Sequence, residues 1–444
     1  MRFGSCVVPS LLCFLLAVSA CVPVPLSTVA LHPRQQLAAA AESAPAEGSG
    51  LFSALAFDAS GALLAVYDSG ADRVQLLRGS DLTKTDSRQP RHWPRRLSFS
   101  PQGQFLVLEA HQGWVEDFLQ HGSLPSGADI NSPAAMRDDV QRAEVWNLRT
   151  GQTTQDLACD AVSTSEPQGG WLWARDKAIT PGYRSSAILT VYFSRDEREF
   201  LMLCWNGVRQ RWDTSSWTRL ADIAPPPFWT EKAALTNAHW FAGEDAATLS
   251  DDGRTIVLRV REKALGFSTT YLWDLETSRV HPLPGDCATR LQPSHAISRD
   301  GRRIVAVCNS GLGHAIRVWD LAAGRELPLR DAEFGITRGA PVIRGAGVAL
   351  SPDGRHVAVV LLDLVEGMLV GPVPVGFEIS RSDLRLWNVD SGRELVALSL
   401  DDVDDGANHF TGVDLAMSPD SEMLAVGGRR VRVYRVVDLS VESR

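Results

Sequence analysis

The sequence lacks the short motifs that mark the commoner catalytic sites. It holds no Gly-x-Ser-x-Gly, no His-Glu-x-x-His, no phosphate-binding P-loop and no Cys-x-x-Cys, and its 10 histidines do not cluster. These absences remove a nucleophile elbow, a zincin-type metal site, a nucleotide loop and a dithiol centre. They leave open a site assembled from side chains far apart in the chain. Positive charge is also in deficit: 44 Lys and Arg stand against 53 Asp and Glu, a formal net charge of −9, which offers no general attraction to nucleic acid. Beyond the first 20 residues no apolar run approaches the ~20 residues that a membrane span needs.

What is present begins with MRFGSCVVPSLLCFLLAVSAC. Arg2 supplies a short basic start, Val7 to Val18 an apolar run too short for an ordinary span, and small residues precede Cys21. Residues 1–20 therefore read as an export signal. Val18, Ser19, Ala20 and Cys21 resemble the bacterial lipobox, in which cleavage precedes a cysteine that carries lipid. Ordinary cleavage after Ala20, a small-x-small site, is the alternative. The resemblance implies lipidation at Cys21 and stable attachment, since more than one acyl chain is buried. Val22, where Asp would favour retention, implies the outer membrane in a two-membrane cell.

Residues 21–50 turn to Ala, Pro, Ser and Glu, a composition that cannot bury enough apolar surface to order itself and reads as a tether. Within it VPLSTVAL, Val24 to Leu31, has strand-like residues. Residues 437–444 form a polar tail.

Between these lies a repeat. The stretch HAISRDGRRIVAVCNSGLGHAIRVWDLAAGRELPL, His295 to Leu329, reads as four short strands joined by tight turns at Asp300-Gly301 and Ala323-Gly324. Each strand is too short to stand alone, so the unit needs neighbours of its own kind. Six further copies follow the same pattern. The residue before the turn glycine, or before its counterpart, falls at Ser60, Gln102, Asp196, Asp252, Asp300, Asp353 and Asp420. Trp146, Trp212, Trp273, Trp319 and Trp387 recur at one strand position and read as packing residues.

The run SPDG, a β segment and then WDL resembles the WD40-repeat β-propellers over nearly all of Leu51 to Val436. The resemblance implies an all-β fold, a seven-bladed propeller of four-stranded antiparallel blades over residues 51–436. The Gly-His pair that opens each repeat in that family is mostly missing; His239, His295 and His409 precede inner strands without it. Such a ring closes when an N-terminal segment completes the last blade. VPLSTVAL is one candidate for that strand, and VVDLSV from Val436 is the other.

The interval between turn markers runs from 42 residues to 94, against ~40–45 for a minimal repeat. Strand order in a meander puts the short turns on one face. The long segments, Glu109 to Arg142, Asp160 to Leu189, Ile223 to Trp240 and Asp363 to Asp383, fall on the other. The decorated face thus collects Trp114, Trp171, Trp173, Trp229 and Trp240, the candidate partner-binding residues, with Glu116, Asp117 and Arg175 among them. Own-loop packing of these rings is the alternative. On the same strand order, Cys159 and Cys287 follow outer strands while Cys204 and Cys308 end second strands. This makes Cys159–Cys204 and Cys287–Cys308 reasonable disulfides in an exported chain, with four buried free thiols as the alternative.

Two charged stretches read as surface. DDVDDGAN from Asp401 misses EF-hand spacing and is a solvated acidic loop, so no metal site is assigned. RHWPRR, Arg91 to Arg96, is a small basic surface loop between blades one and two that can meet anionic lipid. The reading is a lipid-anchored propeller that binds protein partners at the cell envelope, with no catalytic residue and no cofactor assigned. The alternative is a periplasmic enzyme or small-ligand binder that uses the central channel.

Overall fold

The computed structural model describes residues 39–46, 50–112, 140–160, 162–163, 184–185, 188–204, 206–228, 247–261, 268–283, 295–310, 313–335, 341–366, 369–370, 373–374, 377–400 and 414–436. Each of the seven repeats folds as an antiparallel sheet, and the sheets form a seven-bladed β-propeller with almost no helix. The innermost strands are Phe52–Phe57, Trp93–Phe99, Ile188–Phe193, Ala247–Leu249, His295–Ile297, Pro341–Leu350 and Leu415–Met417. Each forms its ladder with the second strand of its own blade, and Phe52 also exchanges main-chain hydrogen bonds with Gly428 of blade seven. In blade three the outermost position is held by two isolated bridges, Trp212 to Arg219 and Arg209 to Ile223.

The turn after each inner strand follows from a few side chains. In five blades a serine, among them Ser250 and Ser298, donates its hydroxyl proton to the aspartate two residues on. The same hydroxyl oxygen accepts the N–H five residues on. The aspartate also accepts a backbone N–H, at 3.0 Å from Arg254 and from Arg302, so each turn is closed locally. The residue after each marker has positive φ in all seven blades. Glycine occupies five of these positions, Glu197 (φ 57°) and Ser421 (φ 66°) the other two. The turn therefore dictates the left-handed conformation even where a side chain opposes it.

The core is divided rather than central. Seven apolar clusters lie among the described residues, one at each blade junction. The repeat tryptophans fill five of them from the third strand, and Trp273 and Trp387 are fully buried. Leu77 and Tyr434 take the equivalent positions in blades one and seven. The repeat length of the sequence is thus the length needed to cover one neighbour on each side.

Ring closure differs in place from the expectation. The fourth strand of blade seven is Ala39–Glu42, antiparallel to Arg432–Arg435. It lies inside the N-terminal segment but C-terminal to VPLSTVAL, and residues 24–31 and 437–444 lie outside the described residues. Local β propensity misdirected the choice, since AAAE has little of it. The open edge of Arg432–Arg435 supplies the pairing instead. Glu42 then meets Arg430 at 3.2 Å and Arg432 at 3.6 Å, and the N–H groups of Ser43 and Ala46 bond to Val431 and Arg429.

The expected insertion from Asp363 to Asp383 is in large part strand. His356–Glu366 and Phe377–Asn388 continue pairing as far as Glu366 with Phe377, so blade six carries the longest hairpin among the described strands.

Candidate functional site

The seven inner strands enclose an axial cavity of about 1010 Å³ lined by all seven blades. Their inward edges are open, so main-chain N–H and C=O groups join the lining. At the short-turn mouth neighbouring turns are stitched together. The Asp252 N–H donates to the Arg299 carbonyl, the Arg299 N–H to Pro352, and the Asp353 N–H to the Ser421 hydroxyl. The Arg299 guanidinium meets Asp251 at 3.3 Å. Charge at this mouth is largely matched within the ring.

At the other end the strands become irregular. Blades one, two and three carry register shifts at Ser53/Ala56, Pro94/Arg96 and Ile188/Thr190. Ala54, buried, holds a left-handed φ of 51°, and Asp414 of blade seven accepts the Leu55 N–H beside it. In blade two the bulge brings Arg95 and Arg96 to the cavity lining, opposite Glu109 on the second strand. Arg96 Nε lies 4.0 Å from Glu109 Oε1, and its Nη1 donates to the carbonyl of Ala247 in blade four, 3.3 Å away. Glu109 is 7% exposed, and burial pushes its carboxyl above the ordinary value against the pull of Arg96 and Arg95. Tyr192 of blade three also lines the cavity, and burial raises its phenol against the pull of Arg209.

This overturns the reading of RHWPRR as a surface loop. Trp93–Phe99 is the inner strand of blade two, with Trp93 buried against Tyr67 at 6.1 Å between rings. Arg91 is exposed and lies 3.9 Å from Asp156, while Arg95 and Arg96 are half-buried on the cavity. A proline inside a strand signalled an edge, because a ladder has no use for a residue without N–H, and Pro94 stands on such an edge. A carboxylate inside the apolar run FLVLEA was the matching signal for Glu109.

The sequence-derived sites divide as follows. Cys159 and Cys204 form a disulfide, with Cα atoms 5.8 Å apart, joining the end of blade two to the second strand of blade three. Cys308 ends the second strand of blade five, is fully buried and is disulfide-bonded. Cys287 lies outside the described residues, as do Cys21 and the tryptophans Trp114, Trp171, Trp173, Trp229 and Trp240. The acidic stretch from Asp401 does too. Among the described residues no group of three or more His, Cys, Asp or Glu side chains is placed to hold a metal ion.

No protein-family model matches this chain, and no curated protein matches it.

Proposed function

We propose that the protein is a lipid-anchored interaction platform of WD40-like type, which holds a protein partner at the bacterial cell envelope on the face opposite the short turns. The observation that carries this reading is the asymmetry of the two rims. On one rim, five residues link first to second strand in every blade, and serine–aspartate turns close most of these links locally. Opposite it, Gln112 and Val140 bracket residues 113–139, and the Ile223 bridge and Ala247 bracket residues 224–246, segments far longer than strand connection requires. Long segments cost a folded domain little stability and commonly carry binding residues. Residues 113–139 hold Trp114, residues 164–183 hold Trp171 and Trp173, and residues 229–246 hold Trp229 and Trp240, side chains that dominate contact energetics when buried by a partner. The resemblance of the repeats to WD40 propellers, whose common work is joining proteins, supports the same role.

The test pairs two variants purified from membranes, one with Trp171→Ala and Trp173→Ala, the other with Arg254→Ala and Arg393→Ala on the exposed short-turn rim. Loss of the co-purifying partner in the first alone is expected; loss in the second alone, with both folded, places the partner on the wrong rim. Anchoring is tested by Cys21→Ser, which should move the protein from membrane to soluble fraction. Retention after a high-salt wash would refute the anchor.

A further inference from the structure

We infer that the anchored protein stands with its short-turn rim toward the lipid surface, so that the decorated rim meets its partner from the aqueous side. This rests on lipidation at Cys21 and adds the side of the ring from which the anchor departs.

That side is set by the closing strand. In blade seven the turn at residues 418–422 lies on the short-turn rim, Met423–Val426 runs away from it and Arg432–Arg435 runs back. The Val436 N–H donates to the Glu422 carbonyl at 2.7 Å, which puts the end of the third strand beside that turn. The closing strand is antiparallel to Arg432–Arg435, with Ala39 opposite Tyr434 and Glu42 opposite Arg432. Ala39 therefore stands at the short-turn end, and the chain runs from it toward the far rim. Ser43 and Ala46 donate to Val431 and Arg429 along the way, and Phe52 exchanges bonds with Gly428 where the inner strand of blade one begins. The chain thus enters the ring from the short-turn side.

Distance then favours one rim. Residues 22–38, 17 in all, reach at most ~60 Å when fully extended. A coil of that length averages about 25 Å end to end, and a six-residue strand such as Leu63–Asp68 rises about 20 Å. With the short-turn rim toward the bilayer, the average span suffices. With the decorated rim toward it, the chain must first run back along the height of blade seven, and residues 113–139 and 224–246, rooted on that rim, must fit beneath it. Stretching a coil past its average span costs chain entropy, so the second orientation is disfavoured. The short-turn rim also suits a headgroup layer. Exposed Arg254, Arg302, Arg355 and Arg393 stand among exposed Asp300, Asp353 and Asp390, so it offers both signs of charge to a hydrated surface.

The experiment inserts the purified, lipidated full chain into phosphatidylethanolamine–phosphatidylglycerol vesicles that carry an acceptor dye on the headgroup. A donor dye is attached at one exposed site at a time: Thr150→Cys or Arg393→Cys on the short-turn rim, Gly70→Cys or Ala224→Cys on the other. Cys159, Cys204 and Cys308 are disulfide-bonded and do not take the label. Energy transfer from both short-turn sites should exceed that from both decorated-rim sites by about twofold or more, given ~20 Å of blade height between them. Equal transfer from the two rims, or greater transfer from the decorated one, overturns the inference and leaves the anchor intact. Cys21→Ser combined with the Arg393→Cys label reports the anchor separately. Its transfer should vanish; retained transfer overturns the anchor and this inference with it.

Discussion

Removing the disulfide between Cys159 and Cys204 tests how the propeller is held together. The two cysteines stand 45 residues apart in sequence, and the bond joins blade two to blade three across their shared apolar cluster. Cross-linking a loop of that length removes chain entropy from the unfolded state, which corresponds to about 4 kcal/mol at 25 °C. Cys159→Ala with Cys204→Ala also deletes two buried sulfurs beside Phe200 and Met202, adding about 1 kcal/mol of lost packing. A ring of this size has an unfolding entropy near ~0.8 kcal/mol per kelvin, so the double variant should melt about 5–6 °C lower. Calorimetry and urea titration of the oxidised wild type against the double variant supply the comparison. The urea midpoint should fall. The reasoning is refuted if the double variant, with Cys308 still oxidised, lies within about 1 kcal/mol of wild type, because the blade junction would then owe its stability to packing alone.

Gly392→Ala and Gly253→Ala should differ although both positions have positive φ. A Cβ at Gly392 meets the Pro328 carbonyl oxygen at 2.4 Å, whereas at Gly253 it meets nothing within 4 Å. Losses of over ~2 kcal/mol and of about 1 kcal/mol are expected from urea midpoints. Ala41→Pro removes a donor from the four-residue closing strand, at the position paired with Val433. Amide exchange at Val433 and Tyr434 should accelerate, and unchanged protection would mean that closure does not depend on this strand. Acid should destabilise the turns. The Ser215 hydroxyl, then the Ser216 N–H, hold the Asp213 carboxyl down to about 2 from 3.8, and the Ser194 hydroxyl depresses Asp196. Groups with depressed folded values contribute stability above the unfolded value and lose it as pH falls through the folded one, so the urea midpoint should drop between pH 3.8 and about 2. Glu109, raised above 4.5 by burial, acts oppositely: stability gains slightly as pH falls toward 4.5, and Glu109→Gln should abolish only that gain.

The sequence by itself determined the number of blades, the register of their turns and the residues that pack them. Those features rest on interactions spanning five residues or fewer, such as Ser298 with Asp300 and Arg303, or on an apolar side chain recurring at one place in each repeat, such as Trp319. Each copy reports the same local physics, so repetition made it legible. The pairing of Cys159 with Cys204 could be argued from strand order, which puts both at the face opposite the short turns, but as a bond within one blade; the tertiary structure makes it a link from blade two to blade three. Tertiary structure alone decided the closing strand, where an alanine-rich segment of low propensity is taken because the edge of Arg432–Arg435 is open and Glu42 meets two arginines there. It alone decided that Arg95 and Arg96 face the axis and not bulk solvent. The cavity is a property of seven strands that are distant in sequence, and a single bulge in one of them redirects a basic run which composition assigns to the surface.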